Sequence, residues 1–134
     1  QVTLDNLYLM ATELRKKYPF IFIFLAQMNR NIDDAERQKP GQLSNYPTEA
    51  DVFGSDAAQQ GSDILCLINR PAKYNLALYG PLKYQITPDD KYLIAWHTLK
   101  NRLGDVGISW YRANYPLMRL DETDEPSRKQ NFGS

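Results

Sequence analysis

Residues 20 to 25 read Phe-Ile-Phe-Ile-Phe-Leu, an unbroken apolar run that stops at Gln27-Met28-Asn29-Arg30. Polar residues do not alternate with the apolar ones. A strand here would therefore present apolar side chains on both faces, and both would need cover, as in a parallel sheet flanked by helices. Upstream, Leu4, Leu7, Met10, Ala11, Leu14 and Tyr18 recur at helical spacing across 2–17. Asp5 lies near the start and Lys16-Lys17 near the end, each sign suiting its helix pole. Pro19 stops that helix. Helix, short loop, buried strand predicts an α/β fold.

The length, 134 residues, allows one domain. An apolar fraction of 43% fits a folded globule. Sixteen basic residues balance sixteen acidic ones, which excludes a strongly basic nucleic-acid clamp but leaves room for a local patch. The single Cys66 forms no internal disulfide. Its place in the apolar run "DILCLI" predicts a buried structural thiol in a reducing, cytoplasmic compartment. No apolar stretch is long enough to span a membrane, and no signal peptide is visible. The chain opens on Gln1 and enters a helical pattern almost at once. It is expected to be the back portion of a larger domain.

Further along, 31–50 is polar with Pro40, Gly41 and Pro47, a long loop of the kind that is functional or disordered. Residues 49–60 suit a short helix. "DILCLINR" (63–70) predicts a second apolar strand closed by Pro71. Residues 71–89 form a Tyr- and Pro-rich insertion with no clear period. Strands follow at 91–102, 107–115 and 117–122, with "LGDVG" as turn chemistry and a natural hairpin at the end. The charged stretch from Asp121 predicts a flexible tail over 121–134.

In an open α/β sheet, ligands collect at the carboxyl ends of strands. Gln27, Asn29 and Arg30 follow the first strand, Asn69 and Arg70 the second, and Lys100 and Arg102 close the third. Side chains two apart in a strand project together, so Lys100 and Arg102 form a candidate phosphate grip beside a glycine-containing turn. The plainer reading is a solvated strand end. Gln27 could orient a water or sense a phosphate, or be an ordinary satisfied amide. His97 has no metal-ligating neighbour in sequence and reads as core or interface packing. Trp96, Trp110 and Tyr111 read as sheet-face packing, with base stacking as the rival. Asp33-Asp34 and Asp89-Asp90 read as solvated loop faces rather than metal ligands. No phosphate-loop, zinc or serine-hydrolase motif is present.

Three strings, taken in order, resemble the back half of the RecA-like motor domain of DnaB-type replicative DNA helicases. "FLAQMNR" is similar to that family's "LSQLNR", "GSDAAQQGSDILCLINR" to its "GSIEQDAD" segment and following strand, and "LKNRLGDVG" to its "KQRNGPxG". The likeness spans about residues 4–120. It implies a partial RecA-like, P-loop-NTPase-type sheet, mostly parallel with a C-terminal antiparallel hairpin and lacking the Walker A and Walker B strands, over 1–120. It further implies a fragment of a hexameric, ATP-dependent 5′-to-3′ DNA helicase. Gln27 would sense the γ-phosphate with Asn29 and Arg30 beside it, and Lys100 and Arg102 would be the finger reaching a neighbouring subunit's nucleotide. ATP and Mg2+ belong to the parent enzyme; the fragment alone is expected to bind neither and to be inactive. Single-stranded DNA, further copies of the subunit, and a helicase loader or primase are the implied partners. Where the family has "DLRESG" this chain has "DVFGSD", with Phe53 and Gly54 at the Arg and Glu positions. DNA contact then moves to Arg37, Lys39, Gly54 and Ser55. The alternative is a non-enzymatic, truncated RecA-like module that binds DNA or a replication partner. An apolar edge left by the missing strands predicts self-association.

Overall fold

The computed structural model describes residues 3–39, 45–52 and 55–130. The chain is α/β, with two α-helices among those residues and a mainly antiparallel sheet. Helix α1 spans Leu4–Lys17. Thr3 caps it, its hydroxyl accepting from the Asn6 amide at 3.3 Å. Leu4, Leu7, Ala11 and Leu14 make its covered stripe, though Ala11 alone is fully buried. Helix α2, Ser55–Gly61, packs against α1.

Strands β1 (Ile64–Asn69), β4 (Leu93–Asn101), β5 (Gly107–Asn114) and β6 (Arg119–Thr123) form a sheet in that spatial order. Between β1 and β4, the short strands β2 (Leu78–Tyr79) and β3 (Tyr84–Gln85) pair as a separate hairpin. All strand pairs are antiparallel. This corrects the expected mostly parallel sheet. A parallel neighbour requires a crossover, usually a helix. The stretch joining β1 to β4 holds only two 3₁₀ turns and the β2–β3 hairpin, so the chain returns antiparallel. The hairpin expected at the C-terminal end is present as β5–β6.

The core lies on one face of the sheet. Tyr79, Tyr84, Leu93, Ala95 and Trp110 form it, and both tyrosines come from the insertion that showed no period in sequence. The Tyr84 and Trp110 rings meet edge-on at 5.0 Å. Gly80 turns the hairpin at φ 71°, in the left-handed region, with the Tyr46 ring lying where any Cβ would go. The far side of the sheet carries Ile64, Cys66, Ile68, Trp96 and Tyr111. Ile64 and Ile68 are each 52% exposed, and the Trp96 and Tyr111 rings meet edge-on at 6.1 Å. The uninterrupted apolar run of β1 thus serves one covered face and one open face. Cys66 is accordingly half-buried, its Sγ 3.9 Å from Thr98 Oγ1.

Residues 20–26 depart most from expectation. They are extended but belong to no strand ladder. Phe20, Phe22 and Phe24 line up on one side, with Phe24 against Tyr8 of α1 at 4.9 Å. Ile21, Ile23 and Leu25 point to solvent at 91%, 83% and 95% exposure. A strand needs a neighbour for its amides and carbonyls, and the described residues supply none here.

The stretch from 121, expected as a flexible tail, is ordered into contacts as far as Lys129. Gln85 donates its amide to the Ser127 carbonyl at 2.8 Å and Lys129 donates to the Lys83 carbonyl at 2.9 Å. Tyr84 Oη donates to Glu125 at 3.2 Å. These residues border β3, where amides and carbonyls would otherwise lie open.

Candidate functional site

Strand β4 reaches Lys100 through a register shift. Leu65 pairs with Lys100 and Cys66 with Thr98, so Leu99 is an extra residue in the ladder. Leu65 and Cys66 face opposite sides of the sheet, so the bulge turns Lys100 away from the side that carries Thr98. The Lys100 ammonium donates to the Gln59 carbonyl in α2. Arg102 follows in the turn after β4. Its amide donates to the Asp63 carbonyl at 3.0 Å, and its guanidinium to Asp63 Oδ1 at 2.8 Å. Lys100 and Arg102 therefore both bond to the segment where α2 runs into β1, one at Gln59 and the other at Asp63.

Asp63 has a second cation. Arg15, in the last turn of α1, donates to Asp63 Oδ2 at 2.5 Å. Sequence reading missed both Arg15 and Asp63. They are 48 residues apart, and Asp63 lies 39 residues from Arg102, so no local spacing joins them. The weak signals were an aspartate just before an apolar strand and a basic last turn on the first helix. Arg15, Asp63 and Arg102, together with Thr12, Lys16, Gln60 and Gly61, line a cleft of about 290 Å3.

The polar exit of the opening run is built differently. Gln27 is exposed. Met28 bridges to Val52, and the Asn29 amide donates to the Asp51 carbonyl at 2.6 Å. The Asn29 side chain caps a 3₁₀ turn over Arg30–Asp33 by accepting from the Asn31 amide. Arg30 is exposed at the start of that turn. Among the described residues, no hydrogen bond or ion pair links Gln27 or Arg30 to Lys100 or Arg102.

The residues expected to meet DNA also occupy distinct settings. Arg37 grips Asp51 with two nitrogens, at 2.5 and 3.0 Å. Burial pushes the Asp51 carboxyl up, but the bonds from Arg37 and Thr48 outweigh it and hold Asp51 below the usual carboxylate range. Lys39 pairs with Glu36 at 2.7 Å on the surface. Gly54 lies outside the described residues, as does the side chain of Ser55, which begins α2.

Two expectations away from this segment resolve clearly. His97 is a core residue: it is 2% exposed, its Nε2 is 2.8 Å from Tyr79 Oη, and the Tyr46 ring stands edge-on to it at 4.6 Å. Burial lowers its pKa to about 4. Asp90, expected on a solvated face, is buried instead. It accepts from the Thr87 amide at 2.8 Å and hydroxyl at 3.1 Å, and from Arg112 at 3.0 Å. Asp33 accepts from Tyr74 Oη at 3.0 Å, pinning the 3₁₀ turn after Asn29 to the one at Pro71–Tyr74.

No protein-family model matches the chain. The curated proteins hold no match to it either. No helix among the described residues is long and apolar enough to cross a membrane.

Proposed function

We propose that this chain is part of the motor of a replicative ATP-dependent DNA helicase of the DnaB type, a hexameric cytoplasmic ring that unwinds duplex DNA 5′ to 3′. The observation that carries the reading is the placement of Arg102. Its guanidinium holds Asp63 through one nitrogen while the side chain stays 55% exposed. An arginine has five N–H donors, so most of them stay available to a second acceptor. Phosphoryl transfer needs spread negative charge neutralised, and an arginine supplied from a neighbouring subunit does this. Lys100, bonded to the same segment, adds a second cation.

In this reading the antiparallel sheet is the hairpin end of a RecA-like sheet, and the strands bearing the phosphate loop and the Mg2+ aspartate lie in other residues of the subunit. Gln27, exposed at the end of the apolar run, senses the γ-phosphate, with Asn29 and Arg30 as its neighbours. ATP and Mg2+ are held tightly only by the assembled enzyme. Single-stranded DNA meets Lys39, Gly54 and Ser55. Arg37 is already committed to Asp51 and takes part by fixing the loop. A loader or primase is the accompanying partner.

The test is DNA-stimulated ATP hydrolysis by the assembled gene product. Arg102→Ala should lower turnover by about 10³-fold or more while nucleotide still binds. Hydrolysis retained at the wild-type rate in Arg102→Ala removes the reading.

A further inference from the structure

We propose that Arg15 and Arg102, held side by side on Asp63, form a two-arginine grip for the terminal phosphoryl group of a polyphosphate. The inference rests on Arg102 being a phosphate contact, as proposed above, and adds Arg15 and Asp63 to that site. Each carboxylate oxygen takes one guanidinium: Oδ2 accepts from Arg15 at 2.5 Å and Oδ1 from Arg102 at 2.8 Å. The carboxylate thus sets the spacing between the two cations. Each arginine is bonded through a single nitrogen and stays 44% and 55% exposed, respectively. Both line the same cleft of about 290 Å3, together with Gly61 where α2 ends.

Charge favours an anion there. Arg15 and Arg102 share the one carboxylate of Asp63, and Lys100 is bonded to a carbonyl rather than to an acid. The rim is locally cationic in a chain whose formal net charge is zero. Guanidinium forks fit a tetrahedral phosphoryl group through paired N–H donors. Two forks converging in a concave cleft suit a compact, multiply charged terminal phosphoryl group better than a singly charged phosphodiester.

Asp63 is a positioning residue, and that role separates the grip from a plain basic patch. Asp63→Asn adds one positive charge to the rim. If the rim acts only through its field, the substitution tightens anion binding. If Asp63 aligns the two arginines, the substitution weakens it.

Inorganic tripolyphosphate added to the full 134-residue chain, followed by titration calorimetry and amide NMR, decides the matter. Wild type should bind, with shifts at Arg15, Gly61, Asp63 and Arg102. Arg15→Gln should weaken binding about tenfold, Arg15→Lys should weaken it as well because the fork is lost, and Asp63→Asn should weaken it despite the added charge. Lys73→Gln, whose ammonium pairs with Asp33 at 3.7 Å and lies outside the cleft lining, should bind nearly as wild type. Unchanged binding in Arg15→Gln, tighter binding in Asp63→Asn, or shifts centred elsewhere each overturn the grip. So does a single-stranded oligodeoxynucleotide that binds more tightly than tripolyphosphate at equal salt. Should a variant lose the fold, the wild-type shift map still answers. None of these readouts needs hydrolysis, so loss of the grip and loss of the helicase reading are separately visible.

Discussion

Tyr79 Oη lies 2.8 Å from His97 Nε2, and both side chains are sealed from water. Asn69 Nδ2 donates to the same hydroxyl at 3.0 Å. With the Tyr79 oxygen accepting a hydrogen bond from Asn69, the arrangement suits a neutral imidazole that accepts the tyrosine proton at Nε2. The chain Asn69–Tyr79–His97 joins β1, β2 and β4 and fixes the small hairpin over the main sheet.

A neutral buried histidine makes stability depend on acid. The pKa of His97 falls from 6.5 in the open chain to about 4 in the fold, through burial. Between those values the unfolded chain binds the extra proton and the folded one does not. Stability is therefore full above about pH 6.5 and declines as pH falls toward 4, by up to about 3 kcal/mol. Urea midpoints measured from pH 7 to 4 should show the decline, and His97→Gln should flatten it over the upper part of that window.

Tyr79→Phe keeps the ring and removes only the hydroxyl. Asn69 Nδ2 and His97 Nε2 then lose their shared partner inside the core. The expected loss is about 1–3 kcal/mol, read as a lower urea midpoint at unchanged slope. An unchanged midpoint would mean that water or another group takes the place of the hydroxyl.

Arg37 and Asp51 form a pair whose side chains are 20% and 6% exposed. Arg37→Ala leaves the Asp51 carboxylate buried and short of its main counter-charge, so a loss of about 3 kcal/mol is expected. Because Asp51 is held below the ordinary carboxylate range, its contribution is present above that range and vanishes as pH falls through its lowered folded value. Arg37→Ala should therefore lose most of its deficit relative to wild type in strong acid. Thermal unfolding of both proteins across pH measures it.

Residues 20–25 should drive self-association. Ile21, Ile23 and Leu25 present an exposed aliphatic row on an extended backbone that has no ladder partner. Light scattering is expected to show apparent mass rising with concentration. Ile23→Lys places a charge in the middle of the row and should restore a monomer. Wild-type protein that stays monomeric at high concentration would show the row to be harmless.

Much of the fold was readable where one residue class repeats. The stripe on α1, the three later strands and the hairpin at 107–123 follow from local spacing and turn chemistry. Strand direction was not readable. After Asp63, "ILCLI" is apolar throughout, yet that property is shared by a strand covered on both faces and by β1, whose Ile64 and Ile68 remain open. The core tyrosines hid for a related reason. Tyr79 and Tyr84 lie on two-residue strands, too short to show a period. Of the site, Lys100 and Arg102 were visible as neighbours, and the meeting of Arg102 with Arg15 on Asp63 was not, since it spans the chain from the first helix to the turn after β4.

The border that Ser127 and Lys129 form along β3 moves the end of the folded unit well past the acidic stretch where it was expected. A chain cut at Asp121 would lose the wall beside Tyr84, and with it the outer support of the Trp110 ring. Anyone trimming this protein for study should therefore leave the last dozen residues attached.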